Sequence, residues 1–219
     1  YFAPLLVFMK NAKNFDEKTM IKAYTVYSQE MINIHFGQGT DIYWHRGFVR
    51  EVTEKNYLQM CAFKTGTLSR MSARLAALLA GGTKKQVDAA GRYAEAIGVA
   101  FQIQDDVLNL VGDEKAYGKE IGGDISEGKR TLIVIHCLSK SSKPNRMRLL
   151  EILDAKTKDP ALIREAINLL EATKSIAYSQ KVAKKMVLGA WREFEKAFKK
   201  SSSRDKLRLF ADFLVEREF

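Results

Sequence analysis

Proline is nearly absent from this chain, and that absence restricts the fold more than any other feature. Pro4, Pro144 and Pro160 are the only three in 219 residues, so between positions 5 and 143 nothing of that kind interrupts a helix. Strand-like alternation bounded by turn residues is almost missing as well. Apolar residues recur instead at helical spacing, and the pattern predicts helices over about 1–11, 16–38, 52–80, 84–111, 129–140, 144–154, 159–169, 171–199 and 203–218. Local end signals agree. Asp16 and Thr53 stand where N-caps belong, Gly81-Gly82 is a C-terminal stop, and Asp159-Pro160 opens a helix with a cap followed by proline. The expected fold class is all-α, as a single domain over 1–219.

With 46% hydrophobic residues the chain can bury a core without disulfides or a structural metal. Cys61 and Cys137 form no CxxC pair and stand at no metal-ligand spacing from His35, His45 or His136, so reduced, unpaired thiols and a cytoplasmic setting are expected. No apolar run is long enough for a transmembrane segment, since Lys10, Asp88, Arg92 and Asp105 interrupt the richest stretches. The opening YFAPLLVFMKNA carries no secretory leader. It reads as the middle of a helix without its N-cap, and further residues are expected before Tyr1.

The net charge of +10 raises the question of nucleic acid. Residues 1–138 hold 17 Lys and Arg against 15 Asp and Glu, and residues 139–219 hold 19 against 11. The excess therefore belongs to the last helices, at spacings that give a solvated basic face. No nucleic-acid signature accompanies it, and no nucleic-acid partner is expected.

Chemistry enters at FQIQDDVLNL, residues 101–110. On a helix Gln102, Asp105, Asp106 and Asn109 form one polar stripe in an otherwise apolar segment. Two adjacent carboxylates with a third oxygen ligand one turn on suit Mg²⁺, which takes hard oxygen ligands and retains waters and substrate phosphates. The plain alternative is a solvent-facing acid pair near a helix end. Lys64-Thr65-Gly66 lies inside the third predicted helix, where Thr and Gly both weaken helix formation. Close helix approach, or a hydroxyl needed beside Lys64, would account for them. Gly37-Gln38-Gly39-Thr40-Asp41 is expected to end the second helix. After the carboxylates comes VGDEKAYGKEIGGDISEGKRT, residues 111–131, a long irregular segment with five glycines that carries Lys119, Asp124 and Lys129. An acidic stripe, a cationic helix position and a loop with lysines are the parts needed to hold a polyanion through bridging metal ions.

These four elements in this order, GQGTD, KTG, FQIQDDVLNL and YGKEIGGDISEGKRT, resemble the trans-isoprenyl diphosphate synthases, and among them the short-chain farnesyl and geranylgeranyl diphosphate synthases. The resemblance covers residues 37–131 in detail and the remaining helices in general character. It implies an isoprenoid-synthase bundle of long helices around a central cavity, a homodimer or higher homo-oligomer. The implied reaction joins isopentenyl diphosphate to an allylic diphosphate with Mg²⁺, three ions in a complete site. Carried over residue by residue, Asp105 ligates metal, with Asp106 and Asn109 completing the metal set. Lys64, Lys119 and Lys129 neutralise the leaving diphosphate, while Thr65 and Gln102 confine the cation. Gln38, Asp41, Phe101 and Asp124 join them as substrate contacts. Asn109 departs from the commoner third aspartate, a change that favours geranylgeranyl over farnesyl diphosphate as product.

The family's earlier DDxxD helix and its basic companions are not found in these residues. The expectation is a chain lacking the N-terminal portion, inactive alone, and completed by a missing segment or a separate N-terminal chain. Without that cover, the apolar faces of residues 1–9 and of the helix holding 101–110 are expected to stand open. A terpene cyclase, a noncatalytic partner subunit and a purely structural bundle are the competing classes. The cyclase lacks its Asn/Ser/Glu metal-ligand spacing here, and a scaffold would have no chemical use for Lys64, Asp105, Asp106 and Lys129.

Overall fold

The computed structural model describes residues 3–47, 49, 51–111 and 121–216. Among them there are helices and no strands. In chain order the helices are α1 (Leu5–Asn11), α2 (Glu17–His45), α3 (Glu54–Cys61), α4 (Thr67–Leu79), α5 (Lys84–Val111), α6 (Gly123–Ser126), α7 (Leu132–Lys140), α8 (Lys143–Ala155), α9 (Pro160–Ala172), α10 (Ser175–Ala197) and α11 (Ser202–Glu216). A π-helical turn, Ala62–Gly66, joins α3 to α4.

The caps are local chemistry. Asp16 accepts the Thr19 amide at 2.9 Å, and Thr53 and Asn56 form a reciprocal capping box at the start of α3. Each satisfies backbone donors that a helix start leaves unpaired. Three boundaries differ from expectation. α2 continues through Gly37–Asp41 to His45, and its stop is Gly47, whose φ of +80° suits glycine at a helix end. A glycine with helical φ weakens a helix without ending it. The third predicted helix is divided by the π turn. The described part of the 111–131 segment is also less irregular than expected, since Gly122 at φ +81° starts α6 and Thr131 caps α7.

α5 is the central element, packed along α4 and α10. One core cluster gathers Tyr57, Tyr93, Ile97, Ile103, Leu132, Val187 and Phe194 around its middle. A second gathers Val107, Leu110, Ile125, Ile133, Leu149, Leu153 and Leu170 around its C-terminal end. In the helix carrying 101–110, residues 103, 104 and 106–110 are buried, contrary to expectation, while Phe101, Gln102 and Asp105 are half-buried; α4, α6, α7 and α10 pack against α5. α1 does keep an open apolar face, with Leu6, Val7 and Met9 at 54%, 62% and 66% exposure. No helix among the described residues is long and apolar enough to cross a membrane. Both cysteines are free and buried.

A charged cluster ties α2, α4 and α5 together. Glu30, at 1% exposure, receives both Arg70, which also binds Glu95, and Arg74. Burial alone would raise the Glu30 pKa, and the Arg70 and Asn33 hydrogen bonds reverse this and hold it below the usual value.

Candidate active site

A cleft open to solvent lies between the C-terminal part of α2, the α3–π-turn segment, α5 and the chain entering α7. Asp41, Lys64, Gln102, Asp105, Asp106, Asp124 and Lys129 all line it. They come from four separated stretches of sequence.

α2 presents Asp41, which accepts a hydrogen bond from Lys64 Nζ at 2.6 Å. The π turn carries Lys64 and Thr65. Thr65 donates its hydroxyl to Gln102 Oε1 at 2.9 Å, and Gln102 in turn donates to Asp106 Oδ1 at 3.0 Å. The second Asp106 oxygen accepts the Tyr57 hydroxyl at 2.6 Å. Asp106 is thus buried with both oxygens hydrogen-bonded, while Asp105 beside it is half-buried on the cleft wall. Burial pushes the Asp106 carboxyl up to about 7, with the charge of Asp124 adding and the Tyr57 and Gln102 bonds opposing. Ile103 and Val107, both at 0% exposure, stand on either side of it in sequence. Each such apolar burial stabilises by roughly 1.5–3 kcal/mol, enough together to offset a desolvation cost of several kcal/mol for one carboxylate.

The loop after α5 is fastened to it by Asn109. The Asn109 backbone carbonyl accepts Gly122 N–H at 2.7 Å and its side-chain oxygen accepts Asp124 N–H at 2.9 Å. Grouped in sequence with the metal ligands, Asn109 in the structure turns its amide oxygen to the loop and does not line the cleft. Asp124 binds Lys129 Nζ at 2.6 Å, and Glu127 approaches the same ammonium at 3.0 Å. Burial works against the Lys129 charge, and these two carboxylates overcome it, holding its pKa above the ordinary lysine value. Gln38 is exposed and Phe101 half-buried, and neither lines the cleft. Lys119 lies outside the described residues.

Residues 2–170 match the polyprenyl synthetase family. This chain belongs to that family. It is 35% identical over 206 residues to the short chain isoprenyl diphosphate synthase of Methanothermobacter thermautotrophicus, covering 94% of this chain and 62% of that one. A geranylgeranyl pyrophosphate synthase of Aspergillus fumigatus is 35% identical over 193 residues, 88% of this chain and 52% of the other. The crystal structure of geranylgeranyl pyrophosphate synthetase from Pyrococcus horikoshii superposes with a TM-score of 0.84 at 33% identity, covering 93% of this chain and 61% of that one. The chain therefore spans about half to three fifths of the length of these relatives, and the all-α isoprenoid-synthase fold expected from sequence is the fold observed.

Sequence reading of this polyprenyl synthetase chain missed Trp44, His45, Tyr57, Met60, Arg130 and Thr131 on the cleft wall. Trp44 and His45 are three and four residues beyond Asp41 in α2, so extending that helix past Gly39 would have placed them on the Asp41 face. Tyr57 carried no such signal, because its partner Asp106 is 49 residues away.

Proposed function

We propose that this chain carries the diphosphate-binding part of a trans-prenyltransferase, one that condenses isopentenyl diphosphate with an allylic diphosphate to give geranylgeranyl diphosphate. The observation that carries the reading is the convergence of Lys64, Asp105, Asp124 and Lys129 on one cleft. Two cations and two acids from unlinked segments meet there at a surface opening. The two named relatives, a short-chain and a geranylgeranyl synthase, support the substrate and product class.

The donor set fits Mg²⁺ on one side of the cleft. Asp105, Asp106 and Asp124 are hard oxygen donors, and the Asp106 and Asp124 carboxyls are raised first by burial and then by neighbouring carboxylate charge, which a divalent cation would offset. Among the described residues no three acid, His or Cys groups converge closely enough to enclose a metal alone, so Asp105 would share it with substrate phosphates and with residues of a facing acid-rich helix. Bound there, Mg²⁺ supplies positive charge that stabilises a departing diphosphate. Lys64 and Lys129 each hold a carboxylate at 2.6 Å. Both exchange that partner for a diphosphate oxygen when substrate enters, and their charge counts most as the allylic C–O bond breaks and its electron pair moves to the leaving group. In this reading Gln102, which lines the cleft and accepts the Thr65 hydroxyl at 2.9 Å, confines the allylic cation with Thr65 behind it. The isopentenyl double bond attacks that cation, and a proton is lost to restore an alkene.

The reading applies to these residues together with an N-terminal segment, in the same chain or a separate one, that supplies the facing acid-rich helix. The exposed apolar side chains of α1 and of α2, Phe36 at 65% among them, support a face covered by that segment or by a second copy. The test is condensation by a protein containing both parts, with isopentenyl and farnesyl diphosphates and millimolar Mg²⁺. Formation of a C20 diphosphate is expected. A complete, folded protein that binds no pyrophosphate with Mg²⁺ would overturn the reading.

A further inference from the structure

The π turn Ala62–Gly66 is held by two glycines from two different helices. Gly37 of α2 packs so closely that a Cβ there would lie 2.5 Å from the Phe63 carbonyl carbon, 2.8 Å from Lys64 Cα and closer still to the Lys64 amide nitrogen. Gly98 of α5 packs against the other end of the turn, where a Cβ would lie 2.8 Å from Gly66 Cα. Backbone atoms, unlike the far end of a flexible side chain, cannot swing aside. Each close approach is followed one helical turn later by a polar contact from the same pair of elements. Asp41, four residues after Gly37, binds Lys64 Nζ at 2.6 Å, and Gln102, four residues after Gly98, accepts the Thr65 hydroxyl at 2.9 Å. A π turn widens a helix by one residue and is a recurrent feature of functional sites. Here the Thr67 hydroxyl donates to the Ala62 carbonyl at 3.2 Å, a partner for a backbone group within the turn.

We propose that Gly37 and Gly98 are positioning residues for the diphosphate site: by fixing the backbone of the π turn from α2 and α5 they set where Lys64 delivers its ammonium and Thr65 its hydroxyl. The inference rests on the diphosphate reading above and adds to it how the cation is aimed. It also accounts for a glycine within α2 that does not end the helix, and for a Thr-Gly pair within a helical segment. Gly39 provides an internal contrast, since a Cβ there meets nothing within 4 Å.

The experiment is calorimetric titration of the full-length protein with pyrophosphate and Mg²⁺, with circular dichroism to confirm folding. Gly37→Ala should weaken pyrophosphate binding about tenfold, the loss of one well-placed bond to a charged group, while Gly39→Ala leaves affinity unchanged. In a Lys64→Ala background Gly37→Ala should cost no further affinity, because the residue it aims is gone. Should Gly37→Ala fail to fold, Gly66→Ala tests the α5 side of the same turn more gently, its Cβ meeting Glu95 Cγ at 3.2 Å, the Glu95 carbonyl oxygen at 3.3 Å and Val99 Cγ2 at 3.4 Å, and a smaller but equally Lys64-dependent loss is expected. Affinity unchanged in the folded variant, or a loss that persists undiminished without Lys64, would overturn the inference alone. No pyrophosphate binding by the unaltered protein would overturn the diphosphate reading, and the inference with it.

Discussion

The Tyr57 hydroxyl donates a 2.6 Å hydrogen bond to Asp106 Oδ2 with both side chains buried. It links the helix that leads into the π turn to the acidic stripe of α5. Tyr57→Phe keeps the ring and removes the donor, leaving Asp106 with the Gln102 amide alone. The expected destabilisation is about 1–3 kcal/mol, the cost of stripping one partner from a buried polar group. Urea denaturation in the presence of a chelator measures it. A loss within about 0.5 kcal/mol, the range of neutral surface changes, would show that the bond carries no weight.

Asp106 also sets a pH dependence whose sign is opposite to that of a salt-bridged acid. Its carboxyl, near 3.8 in the unfolded chain, is held at about 7 in the folded protein, chiefly by burial. Across that interval the native state retains a proton that the unfolded state has released, so this group's contribution is fully present below pH 3.8 and is lost as pH rises to about 7. Asp124, raised by burial, acts in the same direction, and Glu30 and Glu127, both lowered, act in the other. Metal-free Asp106→Asn protein should show a visibly flatter decline in denaturation free energy between pH 4.5 and 7. Parallel curves for the two proteins would contradict the assignment.

Arg70→Ala should be among the most damaging substitutions outside the cleft. It leaves Glu30, at 1% exposure, with Arg74 at 3.5 Å as its remaining cationic partner. Breaking one side of a buried pair costs about 3–5 kcal/mol, much of it the stranded charge. The double variant Glu30→Ala, Arg70→Ala should therefore recover part of the loss, which a double-mutant cycle on thermal or urea unfolding would read. Simple additivity would mean that the two side chains are energetically independent.

On the proposed trans-prenyltransferase reading, Asp105→Ala should lower turnover of the condensation by about 10²-fold with a smaller change in KM, since its contribution grows as the diphosphate departs. Lys129→Ala should weaken pyrophosphate binding as well as turnover. Single-turnover kinetics separate the two effects. Turnover of Asp105→Ala within twofold of the unaltered enzyme, at saturating Mg²⁺, would remove Asp105 from the metal set.

Product length is tested by chromatography. Starting from farnesyl diphosphate, a C20 product is expected, and absence of elongation would favour a farnesyl diphosphate synthase instead.

Helix content, most helix starts and the identity of the charged residues were all legible in the chain. Asp16 accepts an amide three residues ahead and Thr53 answers Asn56 at the same distance. Such interactions depend on neighbours within one turn, so residue order alone determines them. The resemblance in GQGTD, KTG, FQIQDDVLNL and the loop that follows likewise needed no coordinates, and Lys64, Asp105, Asp124 and Lys129 do share one cleft.

What the tertiary structure decided is how those side chains are aimed. Gly37 looks like a helix stop from its neighbours, but a contact with the backbone of Phe63 and Lys64 explains why glycine stands inside α2. Asn109 stands one turn from the acid pair by spacing, and only the fold brings its oxygen to the Asp124 amide. Tyr57 meets Asp106 across 49 residues. These pairings follow from the rotation and register of whole helices about their axes, which are set by packing summed over two core clusters. No local run of sequence contains that sum.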